Sequence, residues 1–105
     1  METNNKYQVR ISPEAAKNLK EIIFYIARQN PTAAQNLAHT IKNKIINILG
    51  TNPYLCPIIT RFPALMSAGY RCLVVHKNNT VLFLIMGQSV EIRYIMHNKR
   101  DFNLL

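Results

Sequence analysis

The sequence predicts an α+β fold in which a helical hairpin packs on one face of an antiparallel sheet. Apolar residues recur at helical spacing through two neighbouring segments of the N-terminal half. Apolar and β-branched runs, separated by short polar turns, fill the C-terminal half. The helix stripes and the sheet face are the two apolar surfaces that a two-layer domain buries against each other. The predicted order is β-α-α-β-β-β, and we expect residues 1–105 to form a single domain.

The first strand and the first helix follow from the residue pattern near the N-terminus. Residues 7–11 alternate apolar and polar side chains, which is the period of a half-buried strand. Ser12 and Pro13 then predict a helix start, because a serine caps an orphan backbone N–H and a proline fits the first helical position. Apolar residues at helical spacing extend this helix through residues 15–26, and Asn30, which precedes a proline, predicts its end.

A second helix and a long loop are predicted before the C-terminal strands. Apolar residues share one helical face through residues 34–48, and Gly50 predicts the end of this helix. So short a link between two striped helices predicts an αα-hairpin. Residues 51–68 contain several prolines and little periodicity, so we expect a loop there, with a short extended piece at Ile58 and Ile59.

Three strands are predicted in the last third of the chain. Residues 70–76, 81–86 and 90–97 are apolar or β-branched runs. The residues between them, 78–79 and 87–89, predict short turns. Consecutive strands joined by such turns pair antiparallel.

The chain is strongly basic, which limits the kinds of partner it can have. Lys and Arg number 13 against 5 for Asp and Glu, so the net charge is +8 and the isoelectric point is near 9.9. Such a surface attracts polyanions. The natural partners are therefore RNA, DNA or an acidic protein.

The cysteines, histidines and N-terminus indicate a reduced protein of the cytoplasm. Cys56 and Cys72 lie far apart in apolar sequence, and the three histidines do not cluster at metal-ligand spacing. We therefore expect reduced thiols, no metal and no cofactor. The polar N-terminus lacks the apolar region of a signal peptide, and the longest apolar stretch is too short to cross a bilayer, so no membrane partner is expected.

Several segments of the chain resemble toxins of the RelE/ParE superfamily. They are similar, in order, to the first helix, the step between the helices, a "GYR" strand and the closing strand with its tail. The segments are residues 13–22 and 25–26, 30–34, 69–71 and 90–101. The resemblance extends over nearly the whole chain, from about Tyr7 to Leu105. Each motif is short, so their joint order carries the resemblance.

The resemblance implies a toxin that arrests growth unless a co-expressed antitoxin binds it. That antitoxin is expected to be acidic, partly disordered until bound, and laid across the helical hairpin or the sheet edge. In this superfamily RelE-like members cut mRNA on the ribosome, whereas ParE-like members inhibit DNA gyrase. The nucleases carry lysines where residues 62–66 here read Phe-Pro-Ala-Leu-Met, and this loop has no carboxylate to match the base of YoeB-like nucleases. The long hairpin and residues 97–101 favour the ParE-like branch.

The alternative function, ribosome-dependent mRNA cleavage, has three candidate catalytic residues: Arg71, His97 and Arg100. Attack by the 2′-hydroxyl of RNA needs a base, an acid and cations around the phosphorane. Arginine forks suit phosphate, and histidine titrates near neutral pH. Strand alternation predicts that Glu91, Arg93 and His97 share one face of the last strand.

Each of these residues also has a purely structural interpretation. His97 can be a solvated residue at a strand end, and Arg93 and Glu91 can form an exposed ion pair. Arg71 can pair with Asp101 and hold the C-terminal tail against the sheet, and Arg100 can be a solvated charge of that tail. Tyr94 is expected in the core, on the face opposite Arg93. A third function, a non-toxic nucleic-acid-binding module, is disfavoured because the paired sheet-face aromatics used for base stacking are missing.

Overall fold

The computed structural model describes residues 6–75 and 78–97. Four strands form one sheet in the order β1-β4-β3-β2. The elements in chain order are β1 (Gln8–Ile11), α1 (Pro13–Ala27), α2 (Pro31–Leu49), a 3-10 turn (Pro53–Leu55), α3 (Pro63–Ser67), β2 (Arg71–Val75), β3 (Asn79–Met86) and β4 (Ser89–His97). Within the described ranges, no helix is both long and apolar enough to span a membrane.

The predicted α+β fold is confirmed, with one difference in strand direction. Strands β2, β3 and β4 pair antiparallel in sequence order, whereas β1 lies parallel to β4. A tight turn imposes antiparallel pairing only on the two strands that it joins. Strand β1 reaches β4 across the helical hairpin and two other strands, so no turn sets its direction. The sheet is therefore mixed, and β1 and β2 are its edges.

Capping side chains define where the two long helices begin. Ser12 Oγ accepts from the Ala15 N–H at 3.1 Å, and Asn30 Oδ1 accepts from the Ala33 N–H at 3.1 Å. Helix α2 ends at Gly50 as predicted. The φ angle of Gly50 is −75°, however, so the helix ends without the left-handed conformation that glycine usually provides.

The core lies between the helical hairpin and one face of the sheet. Helix α1 packs across β4 and along α2. The large side chains that are almost completely buried there are Ile22, Leu37, Ile41, Leu49, Val81, Phe83, Ile92 and Ile95. Burying one such side chain stabilises the fold by roughly 1.5–3 kcal/mol relative to leaving it in water. The core therefore ties the hairpin to the two central strands.

The region predicted as a loop contains two short helical segments. The 3-10 turn and α3 each begin at a proline, Pro53 and Pro63, whose fixed φ suits a first helical position. The prediction of a plain loop is therefore wrong for these two segments. They were missed because segments of three and five residues are too short to show helical periodicity. The extended piece is confirmed at Ile58, which pairs with Arg71.

Strand β4 contains a bulge at Arg93. Leu82 pairs with Tyr94, but the next residue of β3, Phe83, pairs with Ile92. Arg93 is thus the extra residue on β4. Beyond a bulge the alternation of side chains continues one residue out of step.

The bulge reverses two predictions about side-chain placement. Tyr94 is 39% exposed and lies away from the helices, so its predicted place in the core is wrong. His97 pairs with Asn79 and follows the buried Ile95 by two residues, which places it on the helix side of the sheet. The prediction that His97 shares a face with Glu91 and Arg93 is therefore also wrong.

Side chains of α1 complete the hydrogen bonding of β4 beyond the end of β1. The ladder with β1 ends where the Ser12 N–H donates to the Ile92 carbonyl at 2.9 Å. Ser12 Oγ then donates to the Arg93 carbonyl at 3.0 Å, and Asn18 Oδ1 accepts from the Ile95 N–H at 3.1 Å. Buried backbone groups left without such partners are costly. The start of α1 is therefore fixed directly over the bulge.

We expect Asn18→Ala to lower the free energy of unfolding by about 1–3 kcal/mol, because the half-buried Ile95 N–H loses its acceptor. Urea denaturation measures this change. Asn36→Ala is the matched control, since Asn36 is exposed on α2 and alanine favours helix there. Equal effects of the two substitutions would show that the contact to the bulge contributes nothing.

Candidate functional site

The Arg71 side chain binds the segment that follows α2, at residues 54–56. Its Nη1 donates to the Cys56 carbonyl at 2.6 Å and lies 3.5 Å from the Tyr54 carbonyl. The guanidinium carbon sits 5.1 Å from the centroid of the Tyr54 ring, in cation–π geometry. These contacts fasten the 3-10 turn to β2, so Arg71 has a structural task whatever else it does.

The described catalytic candidates, Arg71 and His97, lie far apart. Arg71 pairs with Phe83, whereas His97 pairs with Asn79 on the other side of β3. The two pairs lie four positions apart on β3, which is about 13 Å along a strand. Arg100 lies outside the described residues. The structure does not bring Arg71 and His97 into one site.

A cluster of polar side chains lies on the sheet face opposite the α1–α2 hairpin. Arg93 Nε is 2.5 Å from Glu91 Oε1, and the rings of Tyr70 and Tyr94 lie 6.2 Å apart. Burial raises the pKa of Tyr70, and the neighbouring Tyr94 adds to that effect. The cluster therefore presents a protonated phenol and a paired guanidinium rather than a base suited to proton abstraction at neutral pH.

The two edges of the sheet differ in how their backbone is covered. At the β2 edge, the Cys72 N–H donates to the Pro57 carbonyl at 3.0 Å, and Lys44 Nζ donates to the Val74 carbonyl at 3.0 Å. A covering loop and a lysine are two common means of blocking an edge strand, and residues 57–59 form such a loop along β2. Among the described residues, no strand covers the outer edge of β1. The β1 edge is therefore the one open to another chain.

An apolar groove of about 430 Å³ adjoins the open edge. We call it the β1 groove; its lining residues are Val9, Ile11, Leu19, Ala38, Ile41, Lys42, Ile45, Ile46 and Ile92. Ile11 is 46% exposed at its rim. The backbone N–H groups of Gln8 and Ser12 donate to the carbonyls of Gln88, just before β4, and of Ile92 in β4. Alternation along the strand therefore directs the N–H groups of Val9 and Ile11 outward.

A second apolar groove, of about 320 Å³, lies at the β2 edge. We call it the β2 groove; it is lined by Ile48, Leu55, Cys56, Pro57, Cys72, Leu73 and Val74. Leu55 is 75% exposed, and Tyr54 and Val74 are also largely exposed. Burial raises the pKa of both thiols, so Cys56 and Cys72 stay protonated and apolar in character at neutral pH.

Neither groove was predicted from the sequence. The predicted site residues are charged or titratable, whereas both grooves are lined mainly by aliphatic side chains at sheet edges. The available signal was the apolar Tyr54-Leu55 pair in a proline-rich segment without periodicity. Large apolar residues in such a segment have no helix or strand face to bury them.

Comparisons with known proteins give a consistent picture. The family model described as "ParE toxin of type II toxin-antitoxin system, parDE" matches residues 9–102. A solved structure described as "Chromosomal ParDE TA system from P. aeruginosa" has a similar fold, with a TM-score of 0.72 at 16% sequence identity, and the match covers 88% of this chain and 96% of that chain. No curated protein matches this sequence.

We expect Arg71→Ala to lower the free energy of unfolding by about 1–3 kcal/mol, because the carbonyls around the 3-10 turn lose a charged donor. The native Cys56 thiol should also react faster with iodoacetamide, as measured by mass spectrometry, since the turn that buries it loosens. Arg28→Ala, at an exposed helix end, is the control. An Arg71→Ala protein with unchanged stability and unchanged alkylation would contradict the structural role.

Proposed function

This chain belongs to the ParE toxin family of type II toxin–antitoxin systems, and we propose that it arrests growth by inhibiting DNA gyrase. Family membership confirms the resemblance to the RelE/ParE superfamily and its ParE-like branch, and it makes a cognate antitoxin the partner of this chain. We further propose that the toxin acts in the cytoplasm, where gyrase works on DNA, and that residues 1–105 act as one domain.

The separation of Arg71 from His97 is the observation that most supports gyrase over mRNA as the target. Cleavage of RNA needs an acid, a base and cations around a single phosphate. Here one candidate holds a turn at the β2 edge, and the other lies on the helix side of β4. Glu91 and Arg93 neutralise each other on the opposite face. A toxin that acts by binding a protein needs no such constellation.

The antitoxin, on this proposal, binds the β1 edge and the β1 groove. An extended segment can pair with the outward N–H and carbonyl groups of Val9 and Ile11 and place alternate apolar side chains in the groove. Lys42 lines the groove, and the chain carries a net charge of +8, so carboxylates in that segment would be attracted. A disordered acidic segment that folds on binding fits both features.

Expression of the toxin alone should arrest growth and induce a DNA-damage response, because stalled gyrase leaves broken DNA. The 5′ ends of cellular transcripts, mapped within minutes of arrest, should show no new cuts inside translated codons. Co-expression of the antitoxin should restore growth. New codon-internal cuts that disappear in Arg71→Ala or His97→Ala would instead establish an mRNA endoribonuclease and overturn the proposal.

Ile11→Glu should weaken antitoxin binding by about tenfold or more, because it places a carboxylate at the rim of an apolar groove opposite an acidic ligand. Isothermal titration with the purified antitoxin measures this loss. Met86→Glu is the matched control: Met86 is also 46% exposed, lies outside both grooves, and changes the net charge equally. Unchanged affinity in the Ile11→Glu protein would remove the β1 groove from the antitoxin interface.

A further inference from the structure

We propose that the β2 groove binds the protein target of this toxin, by receiving an apolar side chain of the target that is flanked by carboxylates. This inference rests on the proposed function, since it assumes that the toxin acts on a protein. It assigns the target to the sheet edge opposite the one proposed for the antitoxin.

Large apolar side chains around this groove are exposed to solvent. Leu55 is the most exposed of the large apolar side chains in the described part of the chain, at 75%. Tyr54 precedes it, and Val74 stands exposed on the neighbouring strand. A concave apolar surface with such a rim has the character of the centre of a protein–protein interface.

The segment that carries Leu55 is held firmly in place. The Leu55 N–H donates to the Asn52 carbonyl at 3.2 Å, and the Cys56 N–H donates to the Pro53 carbonyl at 3.1 Å. Arg71 also holds the turn, because its guanidinium donates to the Cys56 carbonyl. A side chain held in its binding position loses little conformational entropy when a partner covers it. Exposed Leu55 is therefore presented to a partner rather than left loose in a loop.

Charge at the groove selects the partner. Lys44 reaches its rim through the Val74 carbonyl, and Arg71 lies beside the 3-10 turn. The carboxylates among the described residues are Glu14 and Glu21 on α1 and Glu91, which is paired with Arg93, and none of them lines the groove. Two cations at a groove that no carboxylate of residues 6–75 and 78–97 lines favour an acidic surface around the apolar anchor.

The blocked β2 edge argues that the occupant is a folded protein surface rather than an added strand. Pro57 and Lys44 already engage the backbone groups of Cys72 and Val74 that an incoming strand would use. An extended antitoxin segment gains more at β1, where such groups are open. A protruding side chain of a folded target needs only the groove itself.

Leu55→Glu in the full chain tests this assignment, with Met86→Glu as the control and Ile11→Glu as the reciprocal variant. Binding to purified DNA gyrase holoenzyme, binding to the purified antitoxin and growth arrest are measured for each. We expect Leu55→Glu to weaken gyrase binding by about tenfold or more and to relieve arrest, with antitoxin affinity unchanged. Met86→Glu should match the unsubstituted chain. Urea denaturation confirms folding, and Leu55→Ala replaces the glutamate variant if that variant is unstable.

Two results would overturn the inference while leaving the proposed function intact. One is gyrase binding by Leu55→Glu equal to that of Met86→Glu. The other is loss of antitoxin binding with gyrase binding retained, which would give the groove to the antitoxin. If the unsubstituted chain does not bind gyrase, the proposed function fails, and the β2 groove is then tested by growth arrest alone. Relief of arrest by Leu55→Glu, without transcript cuts, would support binding of another protein target in the groove. Unchanged arrest, or cuts inside translated codons, would overturn the inference that the groove binds a protein target.

Discussion

The backbone of β4 is the constraint on which the rest of this structure depends. This strand lies inside the sheet, so its polar groups need partners on both sides, yet β1 covers it only as far as Ile92. Ser12, which caps α1, and Asn18 within that helix supply the missing partners, at the Arg93 carbonyl and the Ile95 N–H. Because one serine both caps α1 and bonds the bulge, the start of the helix and the irregularity of the strand cannot be placed independently. The position of the hairpin, the core between the hairpin and the sheet, and the short length of β1 all depend on this contact between the start of α1 and β4.

Element order, helix starts and the apolar helix faces could be predicted because they depend on neighbours in sequence. Ser12-Pro13 and Asn30-Pro31 are local signals, and both helices begin where those signals lie. The bulge could not be predicted, because residues 90–97 read as an ordinary strand and the extra residue is defined only against β3. One unrecognised residue was enough to exchange the predicted faces of Tyr94 and His97. The parallel pairing of β1 was missed for the same reason, since it joins segments about 80 residues apart.

The candidate surfaces were less predictable than the fold, for a different physical reason. Titratable residues are conspicuous in a sequence, and Arg71 was singled out on its chemistry, but the structure uses its charge to hold the 3-10 turn. The grooves consist of aliphatic residues whose exposure depends on which strands become edges. Ile11 and Ile92 are both apolar residues of predicted strands, but only Ile92 is buried, because β4 is central and β1 is not. Edge position is a property of the assembled sheet.

The difference between the open β1 edge and the covered β2 edge also affects whether the toxin self-associates before it binds its antitoxin. An edge with outward backbone groups is a template on which a second copy can add a strand, and growth of such pairs leads to aggregates. The charge of +8 opposes this by keeping copies apart, but that repulsion weakens as ions screen it. A nascent toxin is therefore most exposed to self-association when it is crowded and its antitoxin is scarce. If the antitoxin binds at β1 as proposed, it would also act as a chaperone, because its backbone hydrogen bonds would occupy the edge on which a second copy could add a strand.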